Sequence, residues 1–319
     1  MDSPKNGKKL YHFPQLHRGD CFYDILSRFH EESGHFSSMA TSKELFESCP
    51  DLRATVVLPY RAGLISSWLG PSANITQELL RDRHSSWQYI RISQEFDDEA
   101  LEPIIRADIM PGRRKQTRMR RAVQNQLTHL RYCPLCIVED FIKEGEPFWH
   151  QLHQIFGVAY CPVHEIPLSY SNVSLEKRLA HFIAASTLLA SSSIEELESQ
   201  AEANAGCSPY KESYVKLART VSWLLEHGLE LTKTGIVEGY RRFLEKEQEE
   251  PLEGRELLNV LRSTFKMGFL QHLLGPDTDG FVIMFQEGHL PPIPPLAHAL
   301  LITAFGGAEK WGDFLEHSA

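Results

Sequence analysis

A mainly α-helical protein interrupted by one small α/β module is what this sequence predicts, and three observations carry the prediction. Apolar residues recur at helical spacing in short stripes between residues 20 and 80, broken by glycine and proline. Similar stripes return from residue 209 onward. Between them, Cys133 and Cys136 stand two residues apart, and after 24 further residues Cys161 and His164 repeat that spacing. Three thiolates and one imidazole make a closed tetrahedral donor set, the chemistry of a structural Zn2+ site. The module therefore reads as zinc-ribbon-like, with helix-turn-helix bundles flanking it.

Composition sets the outer limits. The chain has 319 residues, 42% apolar and 24% charged, which is enough for two or three folded units with real cores. It holds no apolar run of about 18 residues, so no membrane contact is expected. The start, MDSPKNGKKLYHFPQ, is polar, so a secretory signal is not expected and the protein is placed in the cytoplasm. Six cysteines are too few for a disulfide framework at this length, which favours metal over cross-links. The net charge of -9 argues against a general nucleic-acid glue, so any nucleic-acid surface must be local.

Taken in order, residues 1–12 read as a tail. Asp20 is placed as the N-cap of a helix carrying Phe22, Ile25, Leu26 and Phe29, ended by Gly34. Thr41 and Glu44 have capping-box spacing for a second helix with Leu45, Phe46 and Cys49. Pro59 opens a third, whose stripe is Leu64, Ile65, Trp68 and Leu69, stopped at Gly70-Pro71. Asn74 is placed as the cap of a fourth through Leu79 and Leu80. This pattern fits a helix-turn-helix domain over 13–122, but by itself it fits an ordinary helical bundle better, since many bundles share it. An acidic patch, DDEALE, then precedes Arg113, Arg114, Lys115, Arg118, Arg120 and Arg121. Six cations in nine residues form either a solvated face or a phosphate-binding strip.

Within the module, 123–172, the expected elements are a short helix over Ile137–Lys143 ended by Gly145, and strands over Val158–Tyr160 and Ile166–Tyr170. Phe141, Phe148 and Trp149 are expected beneath the metal. Residues 173–208 read as a linker, either a hinge or a polar helix. The last domain, 209–319, starts with a helix carrying Tyr214, Leu217, Ala218, Val221, Leu224 and Leu225. A second helix carries Ile236, Val237, Tyr240, Phe243 and Leu244, and a third runs from Leu257 to Leu270. Short helices around Leu296–Phe305 and Trp311–Phe314 close the chain.

Catalysis finds little support. Cys161 and His164 could in principle pair as nucleophile and base, but that leaves Cys133 and Cys136 without a use. A catalytic zinc keeps one position open, whereas four good ligands are at hand here. His150 and His153 are either extra ligands or packed surface groups. Cys21 and Cys49 fit helix cores, and Cys207 has no partner at ligand spacing.

The segments YCPLC and EGEPFWHQLHQIFGVAYCPVHEIPL resemble the signature of the TniQ/TnsD family of bacterial transposon target-selection proteins. The C-x-x-C pair, the G-x-x-x-W-H stretch and the C-x-x-H before an apolar strand come in the family's order. GDCFYDILSRF resembles the family's first helix, and LPYRAGLISSWL with ITQELLRDRHSSWQYI is most similar to the TnsD branch. The resemblance covers residues 13–170 well and 180–315 loosely. It implies a non-catalytic protein that picks an insertion site and recruits a TnsC-like AAA+ ATPase regulator, and through it the transposase. TnsD-type members bind double-stranded DNA at an attachment site. Short TniQ-type members instead ride on an RNA-guided CRISPR effector. Cys133, Cys136, Cys161 and His164 then match the family's zinc ligands. The helix after Pro59 occupies the place of the amino-terminal helix-turn-helix, where Arg61, Ser66 and Ser67 are expected to face base edges.

Overall fold

The computed structural model describes residues 8–46, 56, 58, 59, 61–93, 127–175, 181–206, 208–231, 233–247, 250, 252–286 and 293–317. Cys49, Cys207 and the basic run from Arg113 to Arg121 lie outside the described residues. The described chain is mostly helical, with one sheet of two strands. It divides into two compact units. The first comprises Met1–Trp87, Asp98–Phe156 and Ile166–Gly206, and the second Gln88–Asp97, Gly157–Glu165 and Cys207–Ala319.

The first unit opens with α1, Phe22–Ser33, whose Phe22, Ile25, Leu26 and Phe29 are buried as their spacing requires. Gly34 ends it in the left-handed conformation, φ 65°. The N-cap, however, is Cys21 and not Asp20, whose carboxylate is spent on buried partners described below. The second helix, α2, runs Ser38–Phe46, so Thr41 sits inside it and does not cap it. Its hydroxyl instead contacts Nδ1 of His30, 2.6 Å, and of His35, 2.9 Å. The third, α3, Ala62–Leu69, buries Ile65 and Trp68 and stops at Gly70. A 3-10 turn, Pro71–Ala73, follows, and then α4, Gln77–Arg83. Thr76 caps α4, its hydroxyl accepting from Leu79 N–H at 3.0 Å, where the sequence favoured Asn74. Such a cap stabilises a helix by about 1 kcal/mol. Asn74 instead ends the 3-10 turn at φ 55°. In succession, α2 packs on α3 and α3 on α4.

A short helix, α5, Trp87–Arg91, follows. Strand β1, His129–Tyr132, pairs antiparallel with β2, Ser169–Ser174, setting Arg131 opposite Tyr170 and Tyr132 opposite Ser169. The expected strands were misplaced: Val158–Tyr160 lies outside the sheet, and the first strand precedes Cys133. Between the strands lies α6, Pro134–Glu144, longer than predicted and closed by Gly145 at φ 85°. Residues 186–204 form α7, Ser186–Ser191, and α8, Ile194–Asn204. The reciprocal bonds of Ser193 and Glu196 make a capping box at the start of α8. This helix packs on α6 through buried Leu197 and Ala201.

The second unit is built on α9, Lys211–His227, which packs against α14, Pro295–Ala304, and α15, Gly307–Glu316. Between them in sequence run α10, Lys233–Phe243, α11, Gly254–Thr264, α12, Met267–Leu274, and α13, Thr278–Met284. The predicted single helix from Leu257 to Leu270 is therefore two. Phe265 and Lys266 turn extended, ψ 125° and 140°, while Phe265 stays buried in the stripe. Tyr240, Phe243, Phe305 and Trp311 form an aromatic cluster with neighbouring ring centres 5.2–5.7 Å apart. Among the described residues no helix is long and apolar enough to cross a membrane.

Candidate metal centre

Strand β1 ends at Tyr132, and the chain turns at once into α6. Cys133 is the N-cap of α6, Pro134 its first residue and Cys136 lies in its first turn. Proline suits that position, since its missing N–H would have had no helical partner. Both thiolates stand at the helix end whose dipole favours negative charge. The second pair sits in a tight turn. The amide of His164 donates to Cys161 Sγ at 3.5 Å, and the amide of Glu165 donates to the Cys161 carbonyl at 2.9 Å. Glu165 accommodates this at φ 53°, and its carboxylate accepts from Arg219 Nη2 at 2.7 Å.

The four ligand atoms of Cys133, Cys136, Cys161 and His164 all lie within 4.8 Å of one another. The cysteines are buried and the histidine is half-buried. Cys161 Sγ and His164 Nδ1 are 3.6 Å apart. Zinc bonds of about 2.3 Å to sulfur and about 2.0–2.1 Å to nitrogen, at a tetrahedral angle, give an edge of about 3.6 Å. The donor set and its spacing thus fit a tetrahedral metal ion. Four protein donors fill such a shell, which leaves no position for a substrate.

The surroundings hold the strand that feeds the site. Gln154 continues the β-ladder with its side chain: Oε1 accepts from Arg131 N–H at 3.0 Å, and Nε2 donates to Arg131 O at 2.8 Å. Trp149 is fully buried, its indole N–H donating to Ile183 O at 2.8 Å. Phe148 is buried as well, but Phe141, expected beside it, is 43% exposed on α6. His150 bonds Asp140 at 2.7 Å and stacks on Phe148, while His153 is buried alongside. Neither belongs to the ligand group. Gly157, φ 93°, precedes the second knuckle, and a Cβ there would come 2.7 Å from Leu296 Cδ1.

A buried polar cluster in the first unit was not anticipated. Arg28 donates from Nε to Asp24 at 2.8 Å, from Nη2 to Asp20 at 2.7 Å, and from Nη1 to Gln15 O and Glu146. Asp20 also meets the ring of His84, and Asp24 accepts from the Trp149 amide at 2.7 Å. Burial pushes the Asp24 carboxyl up to about 7, with Arg28 pulling against it. The signal was present as acid, acid and base at positions 20, 24 and 28, four residues apart in a buried stripe.

The three described residues expected at base edges have different fates. Arg61 precedes α3 at φ 57°, and its guanidinium donates to the Phe46 carbonyl. Ser66 is half-buried. Ser67 is exposed, with its hydroxyl donating back to Leu64 O at 2.7 Å.

A helical chain with a Cys3His cluster near a small two-stranded sheet defines a class of metal-site modules set among helices. Residues 12–168 match the family model described as TniQ. That span includes all four candidate ligands and supports the TniQ family. A TniQ domain implies a transposition-associated adaptor or target-selection role. No curated protein matches the sequence.

Proposed function

We propose that the chain is a non-catalytic target-site selector for DNA transposition, of the TnsD kind. It binds double-stranded DNA at an attachment site and recruits a TnsC-like AAA+ ATPase, which brings the transposase. The observation that carries this reading is the TniQ match over residues 12–168, ending just past the Cys3His cluster. In this reading Cys133, Cys136, Cys161 and His164 hold a structural zinc. The bound ion supplies folding free energy, roughly 10–16 kcal/mol in peptide systems. In the same reading the basic run, Arg113, Arg114, Lys115, Arg118, Arg120 and Arg121, binds phosphates through its charge. Helix α3, with Ser66 and Ser67, is the candidate for groove contact, while Arg61 anchors its start.

A second reading is favoured by the net charge of -9. Here the chain is a protein–protein adaptor that couples an RNA-guided CRISPR effector to the ATPase and touches little DNA itself. Mobility-shift assays with the purified chain, alone and with the ATPase, separate the two. Binding of duplex by the chain alone, with a salt slope that falls when Arg113, Arg114 and Lys115 are reversed to Glu, is the expected result. A shift seen only in the presence of a partner would replace the first reading by the second.

A further inference from the structure

In the second unit, α11 has two unlike sides. Leu257, Leu258 and Leu261 face the core. Arg255, Asn259 and Arg262 follow one another at intervals of four and three residues, so they share one stripe, and all three are exposed. Together with exposed Gln286, and with Leu258 as its floor, they line an open cleft of about 370 Å3. Among the described residues neither guanidinium has a carboxylate at ion-pair distance. Glu256, the acid nearest in sequence to this stripe, is paired with Lys246 at 2.7 Å. In a chain of net charge -9, these two arginines thus stand without an acidic partner among the described residues.

We propose that the Arg255–Asn259–Arg262 stripe of α11 is a second double-stranded DNA contact surface that enters the major groove. The length fits: seven residues of helix advance ~10.5 Å, about three base-pair steps of ~3.4 Å each. The groove, about 12 Å wide, admits a helix. The chemistry fits as well. Arginine pairs with the O6 and N7 acceptors of guanine or with phosphate, and asparagine and glutamine with N6 and N7 of adenine. An acidic peptide would use the guanidinium donors but not the paired donor and acceptor of Asn259 and Gln286. The inference rests on the reading of the chain as a DNA binder and assigns contacts outside the segment matched to TniQ.

The test uses the full chain and a fluorescent random-sequence duplex, read by anisotropy over a salt series. Arg255→Ala/Arg262→Ala should weaken binding roughly tenfold and lower the salt slope by about 1.8 if both arginines meet phosphate. Arg255→Lys/Arg262→Lys should keep the slope but lose affinity for duplexes that the wild type selects from a random pool. Asn259→Ala should likewise lose selected duplexes more than random ones. Melting temperatures should not move, since these side chains are exposed. If the Ala and Lys pairs bind like wild type while reversal of Arg113, Arg114 and Lys115 weakens binding, the α11 surface is wrong and the DNA-binding reading stands. If the wild type binds no duplex, both fall. If a polyglutamate peptide competes as well as duplex, and only through Arg255 and Arg262, the surface is a protein-docking site and the proposal is overturned.

Discussion

Arg28 donates from Nη2 to Asp20 Oδ2 across 2.7 Å, with both side chains shut away from water. The same guanidinium holds Asp24 on its own helix and Glu146 beyond α6. Asp24 in turn accepts from the amide of Trp149, so α1 and the segment after α6 share one buried charge cluster. Removing one partner of a buried ion pair costs more than the pair contributes, because the charge left behind has no water. Arg28→Met is therefore expected to destabilise the first unit by about 3–5 kcal/mol. Arg28→Lys should fall between, since lysine keeps the charge and loses the fork. Urea unfolding followed by tryptophan fluorescence gives the number. A loss near that of an exposed pair, below about 1 kcal/mol, would show that Asp20 and Asp24 need no countercharge.

Cys136→Ser removes one donor from a four-donor shell. Zinc content should fall well below one per chain, and the segment from β1 to β2 should lose its cooperative melting. Chelation of the wild type should produce the same change, reversed by added zinc. The readouts are metal analysis and circular dichroism. Equal metal content together with an equal melting temperature in the variant would refute a structural zinc.

The Cys3His set was legible because ligand chemistry is written in short spacings: two residues in each pair fix both turns. The apolar face of α1 was legible for a similar reason, since burial of Phe22, Ile25, Leu26 and Phe29 follows from local period. Caps were harder. Asp20, Thr41 and Asn74 all have the right side chains, but each is used elsewhere, and a cap depends on which residue leaves helical geometry. Strand pairing is non-local, so Val158–Tyr160, apolar and partly β-branched, misled where His129–Tyr132 pairs. The break between α11 and α12 has neither glycine nor proline at Phe265 and Lys266 to announce it. Charged residues read as surface by default, which hid Arg28 and its partners.

His150 lies near the knuckles and is chemically able to bind zinc, yet its Nε2 is committed to Asp140 at 2.7 Å. Its ring stacks on Phe148 and packs at a tilt against His153, with centres 4.6 and 4.7 Å away. The geometry makes it a brace for α6. His150→Gln should keep one zinc per chain and lower the melting temperature by a few degrees, about the loss of one hydrogen bond with packing. Zinc stoichiometry by mass spectrometry under native conditions decides the matter. A drop to half or less would place His150 among the ligands.

In the second unit, His298 on α14 is fully buried, with Nδ1 2.8 Å from Tyr240 Oη and, among the described residues, no partner for Nε2. Burial drives its ionisation down to about 3. The unfolded chain binds a proton at about 6.5, whereas the folded unit resists it. The unfolded state therefore holds more protons between these values, and stability must fall as pH is lowered through that window. The cost approaches ~1.4 kcal/mol for each pH unit below about 6.5. In His298→Leu, Tyr240 loses its partner, so the variant should be somewhat weaker than wild type at pH near 7. It should also lose part of the acid-side slope, so that the two stability curves converge or cross as pH falls. Melting of both proteins across the pH window tests this. Parallel curves would show that another buried group controls the acid response.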